Sequence, residues 1–213
     1  MSPVITEHHV RGAAATGSLV VPRGAIVTPA ARDLAARLGV ALTGDQAARP
    51  RAPRPAPRAT STVALGADHG GFRLKEVLKP VVEHLGFRLE DVGCHSTDAV
   101  DYPVFAARVA DLVADGVAAF GIAIDGAGIG SAMVANKAAG VRAALCYDLT
   151  TARNAREHND ANVLTLGGTL IGDRLAGEIV TAFLTTPFGG GRHARRVAMI
   201  DALDGERGEG RGE

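Results

Sequence analysis

The sequence contains no tryptophan, and aromatic residues make up only 4% of it. A core built from this chain must therefore come from Ala, Val, Leu and Ile. Two cysteines, Cys94 and Cys146, in 213 residues suggest neither a disulfide framework nor a zinc site. Lys plus Arg equals Asp plus Glu at 23 each, so no charge excess points to nucleic acid or an anionic membrane. No apolar run approaches the roughly 18 residues of a membrane span. The first residues lack the charged-then-apolar pattern of a secretory leader. The expectation is a cytoplasmic protein with one domain of ordinary size and some additional segments.

Four regions separate by composition. Residues 1–43 form an N-terminal extension, in which "SLVVPRGAIVTPAARDLAARLGVAL" predicts one short strand and one helix. Thr28 suits the N-cap, Pro29 the first helical position and Gly39 the residue after the helix. Leu34, Leu38 and Val40 are the expected apolar stripe. One strand and one helix cannot make an independent core, so the segment is expected to dock on its own domain or a partner. Residues 44–60, "GDQAARPRAPRPAPRAT", read as an extended Pro/Ala/Arg linker. The tail at 204–213, "DGERGEGRGE", reads as disordered.

Between residues 61 and 203 strands and helices alternate. "TVALGA", "RLEDV", "AFGIAI", "VRAALC" and "NVLTLG" are short apolar or β-branched runs. Helical periodicity falls between them, at 72–85, 102–114, 129–137, 151–157 and 173–184, with a last helix near 193–203. The pattern predicts a doubly wound, five-stranded parallel sheet. Ligands of such sheets bind beyond the carboxyl ends of the strands, at the switch point in strand order.

Those ends carry chemistry-bearing residues. "ADHGG" with Asp68 and His69 follows the first strand, "DGAGIG" from Asp125 to Gly130 the third, and "CYD" the fourth. "REHNDAN", holding His158 and Asn159, precedes the fifth strand, and "GGRHARR" lies near the C-terminus. An Asp-His pair can be a simple cap and turn, and His158-Asn159 a turn before a strand. Arg192 and Arg196, four residues apart, fall on one helix face and suit a phosphate. The glycine loop exposes backbone N–H groups at a helix start, which suits an anion. It also imitates the dinucleotide fingerprint, with Asp148 about twenty residues on. Ser131 stands where the third glycine belongs, however, and the loop follows the third strand instead of the first.

Together these residues resemble the type-B ribose-5-phosphate isomerases and the related galactose-6-phosphate isomerase subunits. The resemblance rests on "GADHGGFRLK", "VDYP", "GAGIGSAMVANK", "GVRAALCYD", "AREHNDANVLTLGG" and "GGRHARRV", in that order. It implies a flavodoxin-like sheet and metal-independent aldose–ketose isomerisation of a phosphorylated sugar without a cofactor. It also implies a homodimer, or dimer of dimers, with active sites between subunits. Asp68 and His69 then resemble the sugar-binding pair. Gly126, Ala127, Gly128, Ile129 and Gly130 resemble the anion hole, His158 the ring-opening acid/base with Asn159 beside it, and Arg192 with Arg196 the phosphate clamp.

Three positions depart from the family pattern. Asp125 stands where many members carry the cysteine that moves the proton between C1 and C2. A carboxylate can do that work, so Asp125 is expected to be the base. Ala127 replaces a hydroxyl residue. Thr169 stands where a phosphate-binding arginine is usual, a loss of roughly 1.5–3 kcal/mol of charge-assisted binding. These departures keep open an alternative, a catalytically weak sugar-phosphate-binding or scaffold protein. Cys146 reads as buried packing and as the only cysteine near the pocket. The stretch "VPRGAIVTPAARDLAARLGV" at 21–40 resembles a short segment on some proteins of bacterial microcompartments, which implies a microcompartment or other protein partner through residues 18–42.

Overall fold

The computed structural model describes residues 4–22, 25–43 and 61–208. The Pro/Arg-rich segment at 44–60 and the last five residues lie outside the described residues. The chain divides into two compact units, residues 1–49 and 50–213. Among the described residues no helix is long and apolar enough to cross a membrane.

The first unit holds more than the predicted strand and helix. β1 (Val4–Ile5), α1 (Glu7–Gly12) and β2 (Ser18–Val20) precede β3 (Ile26–Val27), α2 (Pro29–Leu38) and β4 (Ala41–Thr43). β1 pairs in parallel with β3, and β2 with β4. The two halves repeat one another. Thr6 and Thr28 are the N-caps, and Gly17 and Gly39 close each half in the left-handed region at φ 67° and 68°. Thr28 Oγ1 accepts from the Ala31 N–H at 3.2 Å, satisfying one orphan donor of the helix start.

This doubling changes the packing. Ile5, Val10, Ala13, Val21, Val27, Ala31, Leu34, Ala35 and Val40 form one buried cluster. The expectation that the segment lacks a core of its own is therefore corrected: residues 4–17 supply the missing half. Leu34 and Val40 are buried as expected, but Leu38 is 47% exposed and stands outside the stripe.

The second unit alternates β5 (Thr62–Ala67), α3 (Phe72–His84), β6 (Arg88–Asp91), α4 (Tyr102–Ala114), β7 (Phe120–Asp125) and α5 (Ile129–Ala135). β8 (Ala143–Leu145), α6 (Leu149–Asn159), β9 (Val163–Gly167), α7 (Asp173–Thr185) and α8 (Arg192–Gly208) complete it. α8 passes Asp204, so the tail expected from that residue is helical as far as Gly208. The five strands are parallel in the order β6-β5-β7-β9-β8. Counted along the unit this is 2-1-3-5-4, whereas the flavodoxin order is 2-1-3-4-5. The last strand lies inside and the fourth takes the edge.

Burial explains the strands. Every residue of β7 and β9 is buried, as parallel strands covered on both faces require, while edge strand β6 alternates. On one face Leu65, Phe120, Ile122, Ile124, Leu164 and Leu166 pack with residues of α3, α6 and α7. On the other, Ala64, Ala123 and Val163 meet Val109 and Val113 of α4. This face is thin because helix and sheet approach closely: a Cβ on Gly121 would stand 2.5 Å from Val109 Cγ1. Strand order turns between β5 and β7, which places the crevice at the ends that carry Asp68 and Asp125.

Candidate active site

Asp68 follows β5, and its N–H donates to the Ile124 carbonyl at 3.1 Å, which fixes it against β7. Its Oδ1 accepts from the Gly71 N–H at 2.9 Å, a cap that starts α3. Asp68 is 7% exposed, and no described residue donates to its Oδ2. His69 is exposed at this edge, with Nδ1 3.2 Å from both the N–H and the carbonyl of Val100. That contact ties it to the segment leading into α4, whose Tyr102 ring lies against Gly130.

The loop after β7 is organised around Asp125. Its buried carboxylate accepts from the Ala127 N–H at 2.8 Å, the Gly128 N–H, the Ser131 N–H at 2.8 Å and the Ser131 hydroxyl at 2.6 Å. Two donors go to each oxygen, which fills the roughly four acceptor sites of a carboxylate. This differs from the expected role: a base needs a free lone pair, and Asp125 has spent its lone pairs on its own loop. Of the expected anion hole, Ala127 and Gly128 point their N–H groups at Asp125. The N–H groups of Gly126, Ile129 and Gly130 have no partner among the described residues.

The loop is held from outside as well. Thr169 Oγ1 donates to the Gly126 carbonyl at 2.6 Å, and the Thr169 N–H reaches the same oxygen at 3.1 Å. The Tyr147 hydroxyl donates to the Ala127 carbonyl at 2.5 Å. Thr169 thus has a task that a missing arginine does not suggest. Its partner lies 43 residues away, so no local spacing signals it. Ser131, noted in the sequence only as a misplaced glycine, is the other group the sequence conceals.

Both cysteines lie at the carboxyl edge. Cys146 is buried in the core, and burial pushes its thiol up to about 11. Cys94 corrects the expectation of a single nearby cysteine: its N–H donates to the Ala67 carbonyl at 2.6 Å, one residue before Asp68. Burial raises its thiol too.

His158, Asn159, Arg192 and Arg196 stand elsewhere. α6 leaves the carboxyl edge after β8 and ends before β9 begins, so His158 and Asn159 reach the amino edge. Arg142, immediately before β8, donates to the Asn159 carbonyl at 3.1 Å and to Asp201 of α8 at 2.7 Å. The Gly189 N–H donates to the Glu157 carbonyl at 2.9 Å, bringing the start of α8 to the same place. There the His158 and His193 rings stack with centroids 4.3 Å apart. Asn154 Nδ2 lies 2.8 Å from His158 Nδ1, and Asn159 Nδ2 donates to Asn154 at 3.4 Å. Arg192 and Arg196 are exposed and form no ion pair with a described residue. One chain therefore separates the two groups of candidate residues by a strand length, about 17–20 Å.

A parallel sheet with a capped Asp-His turn and a glycine-rich loop at its switch point, and a cationic group at the far edge, agrees with the sugar-phosphate isomerase class, to which the relatives of this chain belong. Residues 63–200 match the model of the Ribose/Galactose Isomerase family, and the chain belongs to that family. It is 43% identical over 146 residues to the ribose-5-phosphate isomerase B of Escherichia coli, covering 68% of this chain and 97% of that one. It is 38% identical to the galactose-6-phosphate isomerase subunit LacA of Streptococcus pneumoniae, over 67% of this chain and 99% of that one. The type B ribose 5-phosphate isomerase structure from Trypanosoma brucei superposes with a TM-score of 0.66 at 46% identity, covering 68% and 99% of the two chains. The Clostridium thermocellum ribose-5-phosphate isomerase B gives 0.67 at 42% identity, again over 68% and 99%. The chain is an enzyme of this class, and all four matches leave about a third of it uncovered.

Proposed function

We propose that this enzyme interconverts ribose 5-phosphate and ribulose 5-phosphate through an enediolate. The observation that carries the reading is the row of unpartnered N–H groups at Gly126, Ile129 and Gly130 beside Asp68. Donors fixed where an oxyanion develops stabilise it without reorganisation. His158 opens the furanose ring with Asn159 beside it, His69 helps hold the sugar, and Arg192 with Arg196 clamps the phosphate. A proton leaves C2 and returns to C1, the hydroxyl proton passes from O2 to O1, and no net charge is created.

Two copies of the chain complete the site. His158 and the arginine pair lie at the opposite end of the sheet from Asp68, so the amino edge of one copy serves the carboxyl edge of another. A closed pair then builds two equivalent sites. Residues 18–42 of the first unit recruit a protein partner, a microcompartment component being the kind its sequence suggests.

The test is exchange of the C2 hydrogen with solvent deuterium, followed by NMR across pentose and hexose phosphates. Ribose 5-phosphate should exchange and unphosphorylated ribose should not. Exchange only with a hexose phosphate would reassign the substrate, and exchange with none would overturn the reading.

A further inference from the structure

The switch point holds two carboxylates one strand apart, and their surroundings assign them different work. Asp125 is saturated: three main-chain N–H groups and the Ser131 hydroxyl converge on it. Three of those donors are fixed by the fold, so the carboxylate cannot turn toward a ligand without emptying its own loop. Asp68 uses one oxygen to cap α3 and keeps the other for something else. A Cβ on Gly70 would stand 3.3 Å from Asp68 Oδ1 and 3.4 Å from the Gly126 nitrogen. The absent side chain thus leaves open the space between a carboxylate and an unpartnered N–H.

We infer that Asp125 is a built-in anion that presets the loop as a positioning residue, and that Asp68 is the catalytic base that moves the C2 proton. The inference rests on the isomerase reading above. Two carboxylates with separate roles set by their environments are an established pattern in enzymes. In the forward step the C2–H bond breaks and its proton joins Asp68 Oδ2. The electron pair forms the C1–C2 double bond, and the charge settles on O1, within reach of the free N–H groups of the loop. Asp68 then returns the proton to C1 as the O2 hydroxyl passes its own proton to O1, so that O1 becomes a hydroxyl and the C2 carbonyl forms. The side chain ends as it began.

The roles separate in the full-length chain. Asp68→Asn keeps an oxygen to cap α3 and removes the base, so C2 exchange should fall by about 10²–10⁴-fold. Inorganic phosphate should bind this variant as it binds the wild type. Asp125→Asn should raise KM more than it lowers kcat. Amide NMR gives a readout that does not depend on turnover: the Ala127, Gly128 and Ser131 signals should shift in Asp125→Asn and stay in place in Asp68→Asn. Abolished C2 exchange in Asp125→Asn, with Asp68→Asn still exchanging, would reverse the assignment. A wild type that exchanges no C2 hydrogen overturns the isomerase reading and the role of Asp68 with it, whereas the three amide signals still decide the role of Asp125. Unmoved amides in Asp125→Asn would overturn that role.

Discussion

His158 and His193 stack with ring centroids 4.3 Å apart and planes 8° apart, at the edge where Arg192 and Arg196 begin α8. Burial, then the neighbouring His158, Arg192 and Arg196, push the His193 imidazole below its ordinary value, with Glu157 opposing them. The fold therefore favours neutral His193. As pH falls through the ordinary value of 6.5 the unfolded chain takes up this proton first. Stability from the group is complete above that pH and is lost on acidification below it. His193→Gln should flatten the fall of Tm on the acid side, and the His193 ring signal should titrate below 6.5. Inorganic phosphate beside the arginines should move that midpoint upward. A midpoint at or above 6.5 without phosphate would contradict this account.

The separation of the two groups across the sheet predicts complementation. Asp68→Asn disables the carboxyl edge of a chain and His158→Ala disables its amino edge. After subunit exchange half the dimers are mixed and each has one intact composite site, so activity should return to about a quarter of wild type. Mass spectrometry can confirm the exchange. Mixed dimers without recovered activity would mean that each site lies within one chain.

How much of this was legible depends on the range of the interaction. The strand runs, the helix from Tyr102 to Ala114, the Thr28 cap and the Gly39 turn are set by neighbours a few residues apart, and periodicity exposes them. The exchange of the last two strands depends on which sheet edge each crossover covers, and composition does not encode it. The N-terminal repeat escaped because α1, "EHHVRG", is short and polar, with only Val10 buried in it. Asp125 was found as a residue, yet its direction was not, because the N–H groups that hold it exist only once the loop has folded.

Thr169 offers a direct test of the outer clamp. Its hydroxyl reaches the Gly126 carbonyl at 2.6 Å, and a neutral hydrogen bond of this kind contributes about 0.5–1.5 kcal/mol. Thr169→Val keeps the shape and removes the donor, so kcat/KM should fall by roughly threefold to tenfold. Thr169→Arg should not improve the enzyme, because it restores a charge while giving up the clamp. A gain in phosphate affinity at undiminished kcat in the arginine variant would show that the loop does not need the hydroxyl.

The first unit yields the last prediction. Its nine buried apolar side chains cluster with one another, so removal of residues 1–60 should leave C2 exchange and the melting of the second unit nearly unchanged. Leu34 is 6% exposed and belongs to this cluster. Leu34→Ala should cost about 2–5 kcal/mol, enough to unfold a unit this small while activity persists. Calorimetry of the full chain should then show a lower-temperature transition that Leu34→Ala removes and an upper one that it leaves in place. If the first unit is a recruitment device, truncation should abolish partner association and spare catalysis. A fall of many degrees in the upper transition on deleting residues 1–60 would show that the extension stabilises the catalytic unit, and the recruitment reading would fail.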